Sequence, residues 1–522
     1  MNHVISSGQA SLGIEFGSTR IKAVLIDPSC RILGVGWHDW ENSLVEGIWT
    51  YPLDDVHDGL RSAYASLAAN VHETYGVVIT ELSSIGVSAM MHGYMPFDAD
   101  GQLLVPFRTW RNTITLDSAQ RLTETLGAKI PQRWSVAHLH RAITSGEQHV
   151  DKISFLTTLA GYVHWQLTGE KVLGVGDAAG MFPISAETNS YDLSALSAFG
   201  DLVDVPWKLE DILPTVLVAG QKAGVLTEAG AAMLDPAGGL RPGALFCPPE
   251  GDAGTGMMAT NAVEVRTGNI SAGTSIFAMV VLEEPLATVH DEIDVVRTPD
   301  GLPVAMVHCN NCSGELDAWV DIFAGLLDRL GVQVSSSELY AAVYEAGLEG
   351  APDGDGMVAF NYLSGEHVTC LAAGRPLYAR RPQSTLSLEN FMRLQIMAMF
   401  AALRTGMKIL FDEGVRVERF IGHGGIFKTP KVAQQILAGA LGTPIAVGDG
   451  AGEGGAWGIA MLANYIHHSD LSLSDYLRTT VFQGRSLDVV EPVETDVAGY
   501  SKFAEEQTRA LALVRMALDV LP

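Results

Sequence analysis

Two apolar strand-like runs, Leu12-Gly-Ile-Glu-Phe16 and Ile21-Lys-Ala-Val-Leu-Ile-Asp27, flank the turn signal Gly17-Ser18-Thr19. The pattern predicts a β-hairpin within residues 11–40, with a third strand at 32–36. Helical periodicity over 56–74 and an apolar run at 84–88 extend this to β-β-β-α-β, so the first half reads as α/β. The same design returns about half a chain later, where runs at 265–270 and 276–282 flank Ser271-Ala-Gly-Thr-Ser275. Two hairpins with Gly-Ser/Thr tips predict two related α/β domains, 1–261 and 262–522, with a nucleotide between the tips. Long helical periodicity at 387–414 then leads to a strand and glycine turn at 419–428. A helix at 430–441 and a strand at 444–447 follow. Next comes Gly450-Ala-Gly-Glu-Gly-Gly-Ala-Trp-Gly458, opening a helix to 466, and an amphipathic helix ends the pattern at 501–521.

Composition narrows the function classes. With 47% hydrophobic and 18% charged residues in 522, the chain can bury cores for at least two domains. Its 33 Lys and Arg face 60 Asp and Glu, and a net charge of -27 opposes binding to nucleic acid or anionic membrane surfaces. No basic leader precedes an apolar stretch, and no apolar run reaches the roughly 20 residues of a membrane span, so a cytoplasmic protein is expected. Five widely spaced cysteines argue against a disulfide framework. Cys309 and Cys312 form a Cys-x-x-Cys without a second pair at zinc-ribbon spacing. Either a redox or metal role or two small buried residues accounts for them.

Several positions suit phosphate and sugar chemistry. Glycine-hydroxyl tips let backbone N–H groups approach phosphate oxygens, which makes Gly17, Ser18, Thr19, Gly273, Thr274 and Ser275 candidates. Neither tip has Walker spacing. Glu15 interrupts an apolar strand, and its charge must be met by hydrated Mg²⁺ or by Lys22 or Arg20. Asp252 lies in Pro248-Pro-Glu-Gly-Asp-Ala-Gly-Thr-Gly256 after a short apolar strand, placed either as the base that takes a hydroxyl proton or as a helix N-cap. His92, in Met90-Met-His-Gly93, and Trp110 and Asn112, in Thr109-Trp-Arg-Asn-Thr113, offer an imidazole, an indole face and an amide. Such groups suit a sugar, although a histidine beside apolar residues also serves structure.

Together these residues resemble the FGGY family of carbohydrate kinases, in particular its pentulose kinases of the xylulokinase and ribulokinase types. Gly13-Ile-Glu-Phe-Gly-Ser-Thr-Arg-Ile-Lys22 and Ser271–Ser275 resemble its two phosphate hairpins, and Met91-His92-Gly93 its sugar-side turn. Leu167-Thr-Gly-Glu170, Asp177-Ala-Ala-Gly180, Gly251-Asp252-Ala253, Tyr362-Leu-Ser-Gly-Glu366, Gly424-Gly425 and residues 453–458 are similar to further family segments, in the family's order. The chain departs from the pattern at Glu15 (usually aspartate), at Ala89-Met90 (often Gly-Gln) and at Trp110-Arg-Asn-Thr-Ile114 (usually Trp-x-Asp-x-Arg).

The resemblance implies two actin-like, ribonuclease-H-like domains with MgATP in the cleft between them. It implies transfer of the ATP γ-phosphoryl group to a primary hydroxyl of a ketopentose, with Asp252 as base. Met91, His92, Gly93, Trp110, Asn112 and Asp252 would then meet the sugar, and Glu15 and Asp252 the magnesium. Gly17, Ser18, Thr19, Lys22, Gly273, Thr274, Ser275, Gly424, Gly425 and Lys428 would hold the nucleotide. A homodimer is implied by family analogy alone. The readings of another class are an actin-like ATPase that acts as a switch, and a sugar sensor without turnover. Neither explains both the sugar-side set and Asp252.

Overall fold

In a computed structural model, residues 1–448 and 454–521 are described; the segment 450–453 of the glycine-rich motif lies outside them. The chain forms two compact units. One comprises Met1–Val263, Asp294–Val304 and Gly450–Gly484, the other Glu264–Ile293, Ala305–Asp449 and Arg485–Pro522.

The first unit is built on a six-stranded sheet. Ser11–Phe16 and Arg20–Ile26 form the antiparallel hairpin expected, with Glu15 directly across from Lys22. Ile32–Asp39 adds antiparallel to the second strand, and Ser84–Ala89 adds parallel to the first. Leu245–Phe246 and Glu250–Gly251 pair in parallel with the far side of Ser84–Ala89. The third strand runs three residues beyond the apolar stretch because its polar end is held at the edge, where Asp39 pairs with Arg20 at 2.5 Å.

Helices cover both faces of this sheet, and glycines set how closely they lie. Leu53–Tyr75 ends on Gly76 in the left-handed conformation (φ 68°), which only glycine adopts without strain. It packs so tightly on the third strand that a Cβ on Gly36 would stand 2.1 Å from the Leu67 nitrogen. Gly454–Tyr465 crosses the first strand at Gly13, where a Cβ would meet the Ala456 carbonyl at 2.2 Å. A separate apolar cluster, including Tyr94, Leu122, Trp134, Leu139 and Phe182, supports the segments between Tyr94 and Val216.

The second unit repeats the theme. Its hairpin, Thr267–Ala272 with Ile276–Val281, pairs in parallel with Arg419–His423, as the first hairpin does with Ser84–Ala89. Ile445–Gly448 and Leu487–Val490 continue the sheet. Among the described residues, Leu388–Asp412 alone is long and apolar enough to cross a membrane; its apolar window is 72% buried as the core helix of this unit. The last helix spans Glu494–Val520, beginning seven residues before the apolar periodicity does. Its first turns carry Asp496, whose buried carboxylate accepts from Arg393 at 2.5 Å and from Gln435 at 2.8 Å, so a charged residue faces the core there.

Candidate active site

Asp252 is the first residue of the helix Asp252–Ala259, directly after the strand Glu250–Gly251. Gly251 is the N-cap, so the aspartate is not the capping residue that its position beside a helix start also suggested. Its carboxylate instead accepts from the Met91 N–H at 3.2 Å. Both partners stand at the carboxyl ends of parallel strands, where open α/β sheets present ligand-binding groups. Gly251 is needed there, since a Cβ would lie 2.1 Å from the Met91 side chain. The Asp252 side chain reaches solvent, yet surrounding protein disfavours its charge and holds its carboxyl above the usual value.

The turn at His92 and Gly93 is strained. His92 holds φ at 71°, a region costly for any residue but glycine, and Gly93 follows at 106°. The Gly93 carbonyl accepts from the Ser135 hydroxyl at 2.5 Å. His92 Nδ1 lies 3.2 Å from the Gly180 carbonyl, and because a carbonyl only accepts, Nδ1 carries the proton and Nε2 is the acceptor. Burial, reinforced by the Arg133 charge, lowers His92 to about 3, so the imidazole is neutral at ordinary pH. Arg133 is ion-paired with Asp294, and both act on His92.

Trp110 is 42% exposed, whereas Asn112 is buried. The Asn112 amide accepts from the Trp49 N–H at 2.9 Å and donates to the Trp49 carbonyl at 2.9 Å and the Thr109 carbonyl at 3.0 Å. Its polar atoms therefore hold the Trp49 backbone, and Arg111 lies 3.9 Å above the Trp49 ring. In this segment the indole is exposed, while the Asn112 amide is occupied by the backbone.

Glu15 faces the start of Gly454–Tyr465, accepting from the Ala456 N–H at 3.1 Å. A Cβ on Gly455 would lie 2.1 Å from Glu15 Oε1 and 2.8 Å from Thr255 Oγ1, which places all three together beside Asp252. Desolvation first, then the Asp252 charge, raises Glu15 to about 7, and Lys22 offsets part of this. Arg20 takes no part, being paired with Asp39. Two carboxyl groups that resist ionising side by side are a donor set that a divalent cation relieves.

In the second unit the tip Gly273-Thr274-Ser275 and the turn at Gly424 are neighbours. A Cβ on Gly424 (φ 109°) would stand 2.1 Å from the Ala272 carbonyl. Nothing lies within 4 Å of the corresponding point on Gly425, and exposed Lys428 ends the turn Gly425–Lys428. Cys309 and Cys312 are free thiols, both buried, and burial pushes both up and away from reactivity.

Four further residues join the site: Asp177 heads a segment similar to the family's, but the sequence assigns no site role to it or to Glu250, Arg133 and Asp294. Asp177 lies buried beside Asp252, accepting from Thr158 Oγ1 at 2.7 Å, while its other oxygen has no partner among the described residues. Buried Glu250 accepts from the Gly176 and Asp177 N–H groups at 3.3 and 3.0 Å. The Asp177 and Glu250 carboxyls, like Arg133 and Asp294, meet only after folding.

Comparison with known proteins names the class. Residues 10–240 match the N-terminal domain of the FGGY family of carbohydrate kinases, and residues 268–467 match its C-terminal domain. The chain belongs to the FGGY family of carbohydrate kinases and is a phosphotransferase with a sugar acceptor. It is 22% identical over 447 residues to the xylulose kinase of Haemophilus influenzae, covering 79% of this chain and 82% of that one. The xylulose kinase structure from Rhodospirillum rubrum superposes with a TM-score of 0.80 at 17% identity, covering 98% of this chain and 100% of that one. The gluconate kinase structure from Lactobacillus acidophilus does so at 0.77 and 16%, covering 98% of each. At such identities these structures establish the two-domain α/β kinase fold.

Proposed function

We propose that the chain transfers the γ-phosphoryl group of ATP to a primary hydroxyl of a ketopentose such as xylulose or ribulose. The observation that carries this reading is Asp252, an accessible carboxylate held by the Met91 N–H beside a neutral His92. As the acceptor hydroxyl attacks, its O–H proton passes to Asp252, the new O–P bond forms, and the bond from γ-phosphorus to the bridging oxygen breaks, releasing ADP. His92 Nε2 accepts from a second hydroxyl, and the Trp110 face supports the sugar's C–H side. Met91 and Gly93 shape the turn that carries the imidazole. The resemblance to xylulose kinases in sequence supports a ketopentose over other acceptors.

Gly17, Ser18 and Thr19, with Gly273, Thr274 and Ser275, supply N–H and hydroxyl donors to the phosphates, and Lys22 adds a cation. Gly424, Gly425 and Lys428 hold the adenosine side. Glu15, with Asp252, would hold a hydrated Mg²⁺, which when bound supplies charge neutralisation for the phosphates. The enzyme acts in the cytoplasm on a small sugar.

Asp252→Asn tests the assignment. Turnover should fall about 100-fold or more, the usual contribution of a positioned base, with MgATP affinity kept. A variant retaining more than roughly a tenth of wild-type turnover removes Asp252 from this role.

A further inference from the structure

Both hairpin tips share a feature that their sequences do not display: their carbonyls are occupied from behind. In the first tip, Trp40 Nε1 donates to the Gly17 carbonyl at 2.7 Å and the Tyr51 hydroxyl to the Ser18 carbonyl at 2.6 Å. The Trp40 N–H donates to the Thr19 carbonyl at 3.1 Å. The two rings stack with centroids 4.1 Å apart, and Tyr51 is 1% exposed, so both donors are fixed by packing.

The second tip reaches the same end with different residues. The Ser313 N–H donates to the Gly273 carbonyl at 3.1 Å and the Cys312 N–H to the Thr274 carbonyl at 2.9 Å. That loop is itself clamped. Asn361 Nδ2 donates to the Cys312 carbonyl at 2.8 Å, and one buried Glu366 oxygen accepts from the Asn310 N–H at 2.9 Å, the Asn311 N–H at 3.3 Å and Asn311 Nδ2 at 3.0 Å. The Cys-x-x-Cys segment and the Tyr362-Leu-Ser-Gly-Glu366 segment thus meet on one structural task.

A trans peptide is planar, with its C=O and N–H pointing in opposite directions. Drawing the carbonyls of Gly17 and Ser18 inward therefore turns the N–H groups of Ser18 and Thr19 outward. The same reasoning turns out those of Thr274 and Ser275. Thr19 and Thr274 are exposed. Outward N–H groups from successive peptides make an anion-binding concavity.

We propose that Trp40 and Tyr51 in the first unit, and the Glu366-clamped Cys312–Ser313 loop in the second, are positioning residues. They pre-set each tip's peptide planes to receive phosphate oxygens. This rests on the nucleotide reading above. Preset donors need no reorganisation when the phosphates arrive, which is where such a brace acts.

Tyr51→Phe removes one hydroxyl and keeps the ring, and Glu366→Gln tests the other unit if Tyr51→Phe fails to fold. A lost hydrogen bond of ordinary net strength corresponds to a roughly three- to tenfold change. The expected result is a KM for MgATP raised by about that factor, a sugar KM within about twofold and unchanged affinity for adenosine, which has no phosphate. KM for MgATP unaltered in both variants, or adenosine weakened as much as MgATP, overturns the brace. A wild-type protein that binds no MgATP by calorimetry overturns the nucleotide reading itself, and the brace with it.

Discussion

Behind the proposed base, Asp177 and Glu250 continue a line of carboxyl groups into the protein interior. Burial raises Asp177 to about 7, with Asp252 adding to it, and burial raises Glu250 to about 8, with Asp177 adding to it. For Glu250 the backbone N–H bonds lower the value and are outweighed. Both groups are protonated in the folded chain at mildly acid pH, and unfolding returns them to ordinary carboxyls. Their contribution to stability is therefore full below about pH 4 and is lost as pH rises through 7 and 8. The nucleotide-free protein should melt at a lower temperature at pH 8.5 than at pH 5.5. Glu250→Gln should recover on the order of 1–3 kcal/mol of the difference. An identical pH slope in wild type and variant by calorimetry contradicts the protonated state. At this scale the sequence was partly legible. Asp252 and His92 stood out because glycines and a preceding strand frame them. Asp177 showed only as the head of a family-like segment, and Glu250, Arg133 and Asp294 carried no role, since a charged residue reads as surface until the fold encloses it.

Among elements, the helices that carry the site are set by glycine at their crossing. A Cβ on Gly458 would stand 2.1 Å from the Thr255 carbonyl, three residues after Asp252. Gly458→Ala should push Asp252–Ala259 and Gly454–Tyr465 apart and cost about 1–3 kcal/mol, as overpacking does. Urea unfolding measures this, and an unshifted midpoint contradicts the close crossing. Elements with strong periods of their own, such as the two hairpins and Leu388–Asp412, were readable because each local choice agrees with the fold. The opening turns of Glu494–Val520 were not, because Asp496 faces the core through an ion pair that periodicity cannot register. Trp40 and Tyr51 belong to the same class: apolar by type, their side chains each donate one bond to a tip carbonyl.

Over the whole molecule, the duplication seen as two Gly-Ser/Thr tips corresponds to two hairpins, each followed by a parallel strand. The chain's path was less visible. The helix Gly454–Tyr465 belongs to the first unit, although 175 residues of the second precede it. Nothing in its composition marks that return, because an apolar helix suits either core. The family explains the chemistry of transfer, while in the proposed function the acceptor is set by the few groups around His92 and Trp110. The direct test of the account is coupled ADP release with MgATP against D-xylulose, L-xylulose, D-ribulose, L-ribulose and a blank without sugar. One ketopentose should raise turnover far above the blank; ADP release at the blank's rate in every tube would contradict a ketopentose acceptor.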